Sequence, residues 1–248
     1  DARIALGSTG ISLPTNQMLK FQRDHALARD AVHTPLDVDQ LKQSLAPLSP
    51  TGDVIGVHSR ASTRDEYLKR PDFGRRLNIE SLEQLEPLKA DFDLALTVVD
   101  GLSSLAVATQ ARPFLSALLE LLDQDTPSWR LAPLTICEQG RVAVGDEIAE
   151  NLGARMVLVM IGERPGLSSP DSMGLYLTHA PKVGLTDESR NCISNVRAAG
   201  LPPEVAAQKA LTLMQEARRL ALSGVGLKDR SDDESGALVS TQTFLTRK

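Results

Sequence analysis

The chain has few cysteines, few aromatic residues and no excess of positive charge. Lys and Arg number 27 against 32 Asp and Glu, which gives a formal net charge of −5. Aromatic residues make up 3% of the 248 positions. An acidic surface does not attract a phosphate backbone, and scarce aromatic side chains offer little for exposed bases to stack on. We therefore predict that nucleic acid is not a partner.

Cysteine usage and apolar runs bear on cellular location. Cys137 and Cys192 are too few for a disulfide framework and lack the C-x-x-C spacing of zinc and redox sites. The four histidines are dispersed, which does not favour a metal site. No apolar run approaches the ~20 residues of a membrane span. The sequence predicts a cytoplasmic protein with no metal site and no membrane association.

The length and composition are those of an ordinary folded chain. With 248 residues, 42% of them hydrophobic, the chain can form one or two domains with a substantial core. Helix-like spacing near the start is followed by Pro and Gly breaks. We predict a small, mainly helical N-terminal region at 1–78 and an α/β region at 79–230. Residues 231–248 are predicted as a separate tail, either disordered or a lineage-specific extension.

From about residue 79 onward, compact β-branched runs alternate with helix-length amphipathic segments. The run MVLVMI at 156–161 is apolar on both alternating faces, which is typical of a central parallel strand. No glycine-rich phosphate loop follows any of the predicted strands. We predict a Rossmann-like parallel sheet flanked by helices. The predicted strands are 94–100, 134–137, 156–161 and 174–178, preceded by a short strand at 54–57 in the N-terminal region. The main helices are 104–119, 144–152 and 203–222.

Polar residues that follow the apolar runs are the candidate site residues, because ligands of parallel sheets bind beyond the carboxyl ends of strands. Asp100 is followed by Gly101, and its alternative role is in a tight turn. Glu163 and Arg164 lie between two glycines after the most apolar run, where the alternative is a salt bridge that shapes the loop. Cys192 lies in a polar cluster, either as ligand lining or as a small buried side chain.

Several long segments together resemble the light chain of ethanolamine ammonia-lyase. The matches occur in order along nearly the whole chain, and the two segments that contain Glu163 and Cys192 are the most specific. The matching segments are DHALARDAV at 24–32, YLKRPDFGRRL at 67–77, VVDGLSS at 98–104, QGRVAVGDEI at 139–148, IGERPGLSSPDSMG at 161–174, RNCISN at 190–195 and SGVGLKD at 223–229.

This resemblance implies one subunit of an adenosylcobalamin-dependent enzyme that converts ethanolamine into acetaldehyde and ammonia. It implies that a large subunit holds the ethanolamine and that this small subunit completes the cobalamin pocket without a catalytic residue of its own. The implied cofactor contacts are Val142, Glu163 and Cys192. The implied location is cytoplasmic, either free or inside a bacterial microcompartment.

Another class of function provides the alternative hypothesis. The chain would then be a self-sufficient small-molecule α/β enzyme that uses Asp100, Glu163 and Cys192 as its own site. The sequence favours the subunit hypothesis, because it contains neither a phosphate loop nor a recognisable nucleophile–base motif.

Overall fold

The computed structural model describes residues 14–227, which form an α/β fold around one six-stranded sheet. The strands lie in the order β1-β3-β2-β4-β5-β6. The strands are β1 (Val54–His58), β2 (Phe92–Val99), β3 (Leu134–Glu138), β4 (Ala154–Gly162), β5 (Met173–His179) and β6 (Arg190–Val196). The helices are α1 (Thr15–His33), α2 (Val38–Leu45), α3 (Arg64–Lys69), α4 (Ile79–Leu85), α5 (Ser104–Gln124), α6 (Val144–Leu152) and α7 (Pro203–Leu220).

Two apolar clusters cover the two faces of the sheet. In β2, Leu94, Leu96 and Val98 pack with α5 and α7, while Ala95 and Val99 pack on the opposite face with α6. Successive side chains of a strand point to opposite faces, so a central strand covered by helices on both sides is apolar throughout. The sequence-based prediction of a helix-flanked sheet is confirmed at this level.

The sheet is mixed, so the predicted all-parallel arrangement is wrong for its last two strands. Strands β1 to β4 are parallel, whereas β5 pairs antiparallel with β4 and β6 pairs antiparallel with β5. The ten-residue connection between β4 and β5 contains no helix, and a parallel crossover needs a dozen residues or more. The segment at 190–195, predicted as a polar cluster at a strand end, is itself edge strand β6.

The N-terminal region contributes one strand to this sheet. Strand β1 lies within the predicted 1–78 region and pairs in register with β3. The division of the chain at residue 78 stays a prediction, and the predicted tail at 231–248 lies outside the described residues. Within residues 14–227, one helix, α5, is long and apolar enough to cross a membrane. Its apolar residues, including Phe114 and Leu118, are buried in the protein's own core.

Candidate functional site

Asp100 and Glu163 follow the carboxyl ends of parallel strands, but their side chains point to different parts of the sheet. The Asp100 side chain, after β2, is directed toward β3, where it contacts the backbone of Gln139. The Glu163 side chain, after β4, is directed toward β5 and β6, where it contacts Ser172 and Asn195. The order of the strands explains this difference. β2 and β4 are neighbours in the middle of the sheet, and the outer neighbour of β2 is β3 whereas the outer neighbour of β4 is β5.

Glu163 is held by one of its two carboxylate oxygens. Its Oε2 accepts a hydrogen bond from the Ser172 hydroxyl and another from the Asn195 backbone N–H at 3.4 Å. Its Oε1 accepts no hydrogen bond from any residue between 14 and 227. The side chain lies over Gly174, where an added Cβ would meet Oε1 at 2.9 Å. Glu163 is thus positioned by its neighbours while one oxygen stays free to accept a bond.

Among residues 14–227, Arg164 is exposed and forms no ion pair with Glu163, so these two residues do not supply the salt bridge that the alternative interpretation places in this loop. The loop between β4 and β5 is held instead by Asp171, whose carboxylate lies 3.1 Å from the Arg197 guanidinium. Arg197 also donates to the Ser168 carbonyl at 3.0 Å. The segment that follows β6 therefore fixes the loop that contains Glu163.

Cys192 lies directly opposite Tyr176 in the β5–β6 pair, and its side chain is exposed. The two side chains therefore lie side by side on the same face of this strand pair. Desolvation raises the pKa of this thiol, and the negative charge of Glu163 acts in the same direction. A nucleophilic cysteine needs a lowered pKa. Cys192 is therefore a neutral, compact surface group rather than an activated nucleophile.

Val142 lies in the loop between β3 and α6, on the same face of the sheet as Tyr176. Both side chains are half-buried and pack against the apolar cluster beneath α6. The structure thus brings Glu163 and Cys192 together around Tyr176, and it places Val142 on the same sheet face at the start of α6.

Asp100 does not join these residues. It is 3% exposed, and its two oxygens accept the backbone N–H groups of Gln139 at 2.9 Å and Gly140 at 3.2 Å. A carboxylate that is buried and occupied in this way is not free to bind a substrate. The alternative three-residue site of Asp100, Glu163 and Cys192 is not assembled in this structure.

The burial of Asp100 should make the free energy of unfolding depend on pH. Burial is the main cause that raises the pKa of Asp100 to about 6, although Arg64 and three backbone N–H groups oppose the shift. The folded chain then holds this proton more tightly than the unfolded chain, so its stabilising effect is present at low pH and is lost as pH rises through about 6. We expect a loss of about 2 kcal/mol between pH 4 and pH 7.

Urea unfolding of the chain and of Asp100→Asn across this pH range measures the effect. The difference in free energy of unfolding between the two proteins should decrease as pH rises, because asparagine does not titrate. A difference that stays constant from pH 4 to pH 7 would show that Asp100 is ionised throughout.

Two residues that contact the candidate site residues, Tyr176 and Arg64, are not predicted from the sequence. Tyr176 lies in a predicted strand, where its only signal is a polar group on one face of an otherwise apolar run. Arg64 lies in a short helix 36 residues before Asp100, and nothing in the local pattern links the two. In both cases the partner residue is distant in sequence, so only the fold reveals the contact.

Comparison with known proteins gives consistent matches. The family model "Ethanolamine ammonia-lyase light chain (EutC)" matches residues 1–228. A protein named ethanolamine ammonia-lyase small subunit from Pseudomonas putida (strain W619) is 54% identical over 235 residues, covering 93% of this chain and 85% of that protein. The protein of the same name from Azotobacter vinelandii is 55% identical over 235 residues, covering 93% and 86%.

Proposed function

Because this chain belongs to the ethanolamine ammonia-lyase light-chain family and is a subunit of that ammonia-lyase, we propose that it completes the enzyme's cobalamin pocket. The name small subunit implies a large-subunit partner. In this proposal the large subunit holds ethanolamine, and the products are acetaldehyde and ammonia. Adenosylcobalamin, when bound, supplies the radical by homolysis of its cobalt–carbon bond.

The observation that carries the proposal is the free oxygen of Glu163 beside exposed Cys192. The rim of a corrin carries carboxamides, whose N–H groups need acceptors when water is removed. Glu163 Oε1 is such an acceptor, and the bonds from Ser172 and Asn195 to Oε2 hold it in place. A hydrogen bond to an ionised acceptor is stronger than one between neutral groups. The chemistry of this site therefore fits the cofactor.

Cys192 and Val142 have a different role in the proposal. The neutral Cys192 thiol, which lies opposite Tyr176, provides a small apolar wall. Val142 provides an aliphatic contact from the loop before α6. Together with Glu163, these residues orient the cofactor and help to exclude water and oxygen from a radical. In this proposal none of them transfers a proton or bonds to substrate.

Helix α1 supports the need for a partner subunit. Four of its large apolar side chains, Met18, Leu19, Phe21 and Leu27, are 44–56% exposed. Exposed apolar groups along one helix are typical of a surface that another protein covers. The C-terminal end of α1 is tied to the carboxyl edge of the sheet, because Arg64 donates to Val32 and Ser104 donates to Thr34.

Replacing Glu163 by glutamine tests the proposed acceptor. The amide keeps the size of the side chain but removes the charge, so we expect cobalamin binding to the assembled enzyme to weaken by about 1–3 kcal/mol. Equilibrium dialysis of cyanocobalamin against the two-subunit enzyme measures this. Glu120→Gln makes the same chemical change on the exposed side of α5 and should leave the affinity unaltered. Equal affinities for both variants would remove Glu163 from the pocket.

The function itself is tested by ammonia release from ethanolamine in the presence of adenosylcobalamin. We expect no activity from this chain alone and activity when it is co-expressed with the large subunit from the same genome. Activity of the chain alone would overturn the division of labour proposed here, and would favour a self-sufficient enzyme.

A further inference from the structure

Asp100 holds the loop that contains Val142, although it lies outside the proposed pocket. Its carboxylate accepts the N–H groups of Gln139 and Gly140, the first two residues after β3. Gln139 has a φ of +52°, a left-handed conformation that is costly for a residue with a side chain. Two hydrogen bonds to one buried carboxylate stabilise this turn. The direction in which the chain leaves β3 toward Val142 therefore depends on Asp100.

Arg64 joins the same turn to two other segments. Its guanidinium lies 3.6 Å from the Asp100 carboxylate and donates to the Gly101 carbonyl at 2.8 Å. It also donates to the Gln139 side-chain oxygen at 3.2 Å and to the Val32 carbonyl at 2.7 Å. The planar fork of arginine allows these simultaneous contacts, which lysine cannot make. Arg64 thus links the end of α1 and the ends of β2 and β3.

The other side of the loop is held by α3 and the segment after it. Arg141 donates from its backbone to the Gly74 carbonyl at 2.7 Å and from its side chain to the Tyr67 carbonyl at 3.1 Å. Two guanidinium groups contact the Tyr67 ring, with Arg141 at 4.1 Å and Arg64 at 4.7 Å from its centroid. Residues 139–141 are therefore held from both sides, directly before Val142.

The cluster formed by Arg64, Tyr67 and Arg141 contains buried polar atoms that do not favour folding. The buried Tyr67 hydroxyl, one nitrogen of Arg64 and one nitrogen of Arg141 have no hydrogen-bond partner among residues 14–227. Each buried polar group without a partner costs folding free energy, and an apolar core of the same volume avoids that cost. A requirement for one particular loop conformation accounts for keeping these polar groups.

We propose that Asp100 and Arg64 are positioning residues, which hold residues 139–142 in the conformation that presents Val142 to the cofactor. This inference rests on the proposed function. It assigns to Asp100 a role that acts through the backbone of Gln139 and Gly140, and to Arg64 a role that acts through Asp100 and Gln139. Neither side chain contacts the cofactor or substrate.

The test compares Asp100→Asn with Asp93→Asn in the assembled two-subunit enzyme, with cyanocobalamin as the probe. Asparagine keeps the shape of the side chain but has one acceptor oxygen for two N–H groups. We expect Asp100→Asn to weaken cyanocobalamin binding roughly tenfold. The KM for ethanolamine at saturating adenosylcobalamin should be unchanged, and the Gln139 and Gly140 amides should exchange hydrogen faster. Asp93 lies at the opposite end of β2, so its variant should bind as the wild type does.

Two further variants make each result decisive. Arg64→Lys keeps the positive charge beside Asp100 but loses the fork, and it should weaken binding roughly fivefold. If Asp100→Asn does not fold, Arg64→Lys decides the question. Val142→Asp should weaken binding more than either of these variants. If Val142→Asp binds normally, the proposed pocket is wrong and the inference fails with it. If only Val142→Asp weakens binding, the pocket stands and the positioning role is overturned.

Discussion

Replacing Cys192 by tryptophan is expected to prevent the assembled enzyme from retaining cobalamin. Cys192 is exposed in this chain, so the indole fits the isolated subunit and occupies the space that the proposed cofactor needs. Overpacking of a filled site costs 1–3 kcal/mol and occasionally more. We expect about 3 kcal/mol at this wall, or roughly a 150-fold loss of affinity. Gel filtration of the two-subunit enzyme with cyanocobalamin, followed by absorbance of the protein fraction, measures retention.

Two controls separate a filled pocket from a damaged subunit. Cys192→Ala keeps the site open and should retain cobalamin nearly as well as the wild type. Glu120→Trp adds the same indole at an exposed position of α5, which covers the opposite face of the sheet from Tyr176, and should have no effect. Full retention by Cys192→Trp in an enzyme that still assembles would place Cys192 outside the pocket.

Replacing Asp146 by alanine is expected to destabilise the isolated chain by about 3–5 kcal/mol. Asp146, in the first turn of α6, forms an ion pair with Arg190, the first residue of β6. Both side chains are at most 2% exposed, so removal of the carboxylate leaves a buried guanidinium without its main partner. Its other acidic partner, Asp187, is almost fully exposed. Urea unfolding measures the loss.

A surface ion pair provides the matched control. Asp65 and Lys69 are 74% and 72% exposed, and Asp65→Ala should cost less than about 1 kcal/mol. The double variant Asp146→Leu with Arg190→Met removes both buried charges and should recover most of the lost stability. If Asp146→Ala costs no more than Asp65→Ala, the pair between α6 and β6 does not hold the strand that contains Cys192.

The central strands and helices follow from local pattern. The apolar run at 156–161 lies within β4, and helix α6 begins and ends where its amphipathic spacing predicts. Ser103 caps α5 by accepting a hydrogen bond from the Ala106 N–H, a role that serine commonly has at the start of a helix. These features depend on residues close together in the sequence, so periodicity and capping are sufficient to identify them.

Strand direction was not predictable from periodicity alone. An apolar strand has the same pattern whether its neighbour is parallel or antiparallel, so 174–178 was assigned correctly as a strand and wrongly as parallel. The length of the connection between β4 and β5 carried the missing information. Segment 190–195 was missed as a strand because an edge strand has one open side and can be polar.

Local pattern and the family resemblance are sufficient to identify the class of fold, the family and the segments that contain Val142, Glu163 and Cys192. The contacts of the polar residues at the strand ends are visible only in the folded chain. Asp100 and Glu163 follow similar apolar runs, yet one holds a buried turn and the other keeps a free oxygen at the surface. The difference arises because the order of strands in the sheet determines which residues each side chain can contact. Contacts between residues that are distant in the sequence cannot be predicted from the local pattern.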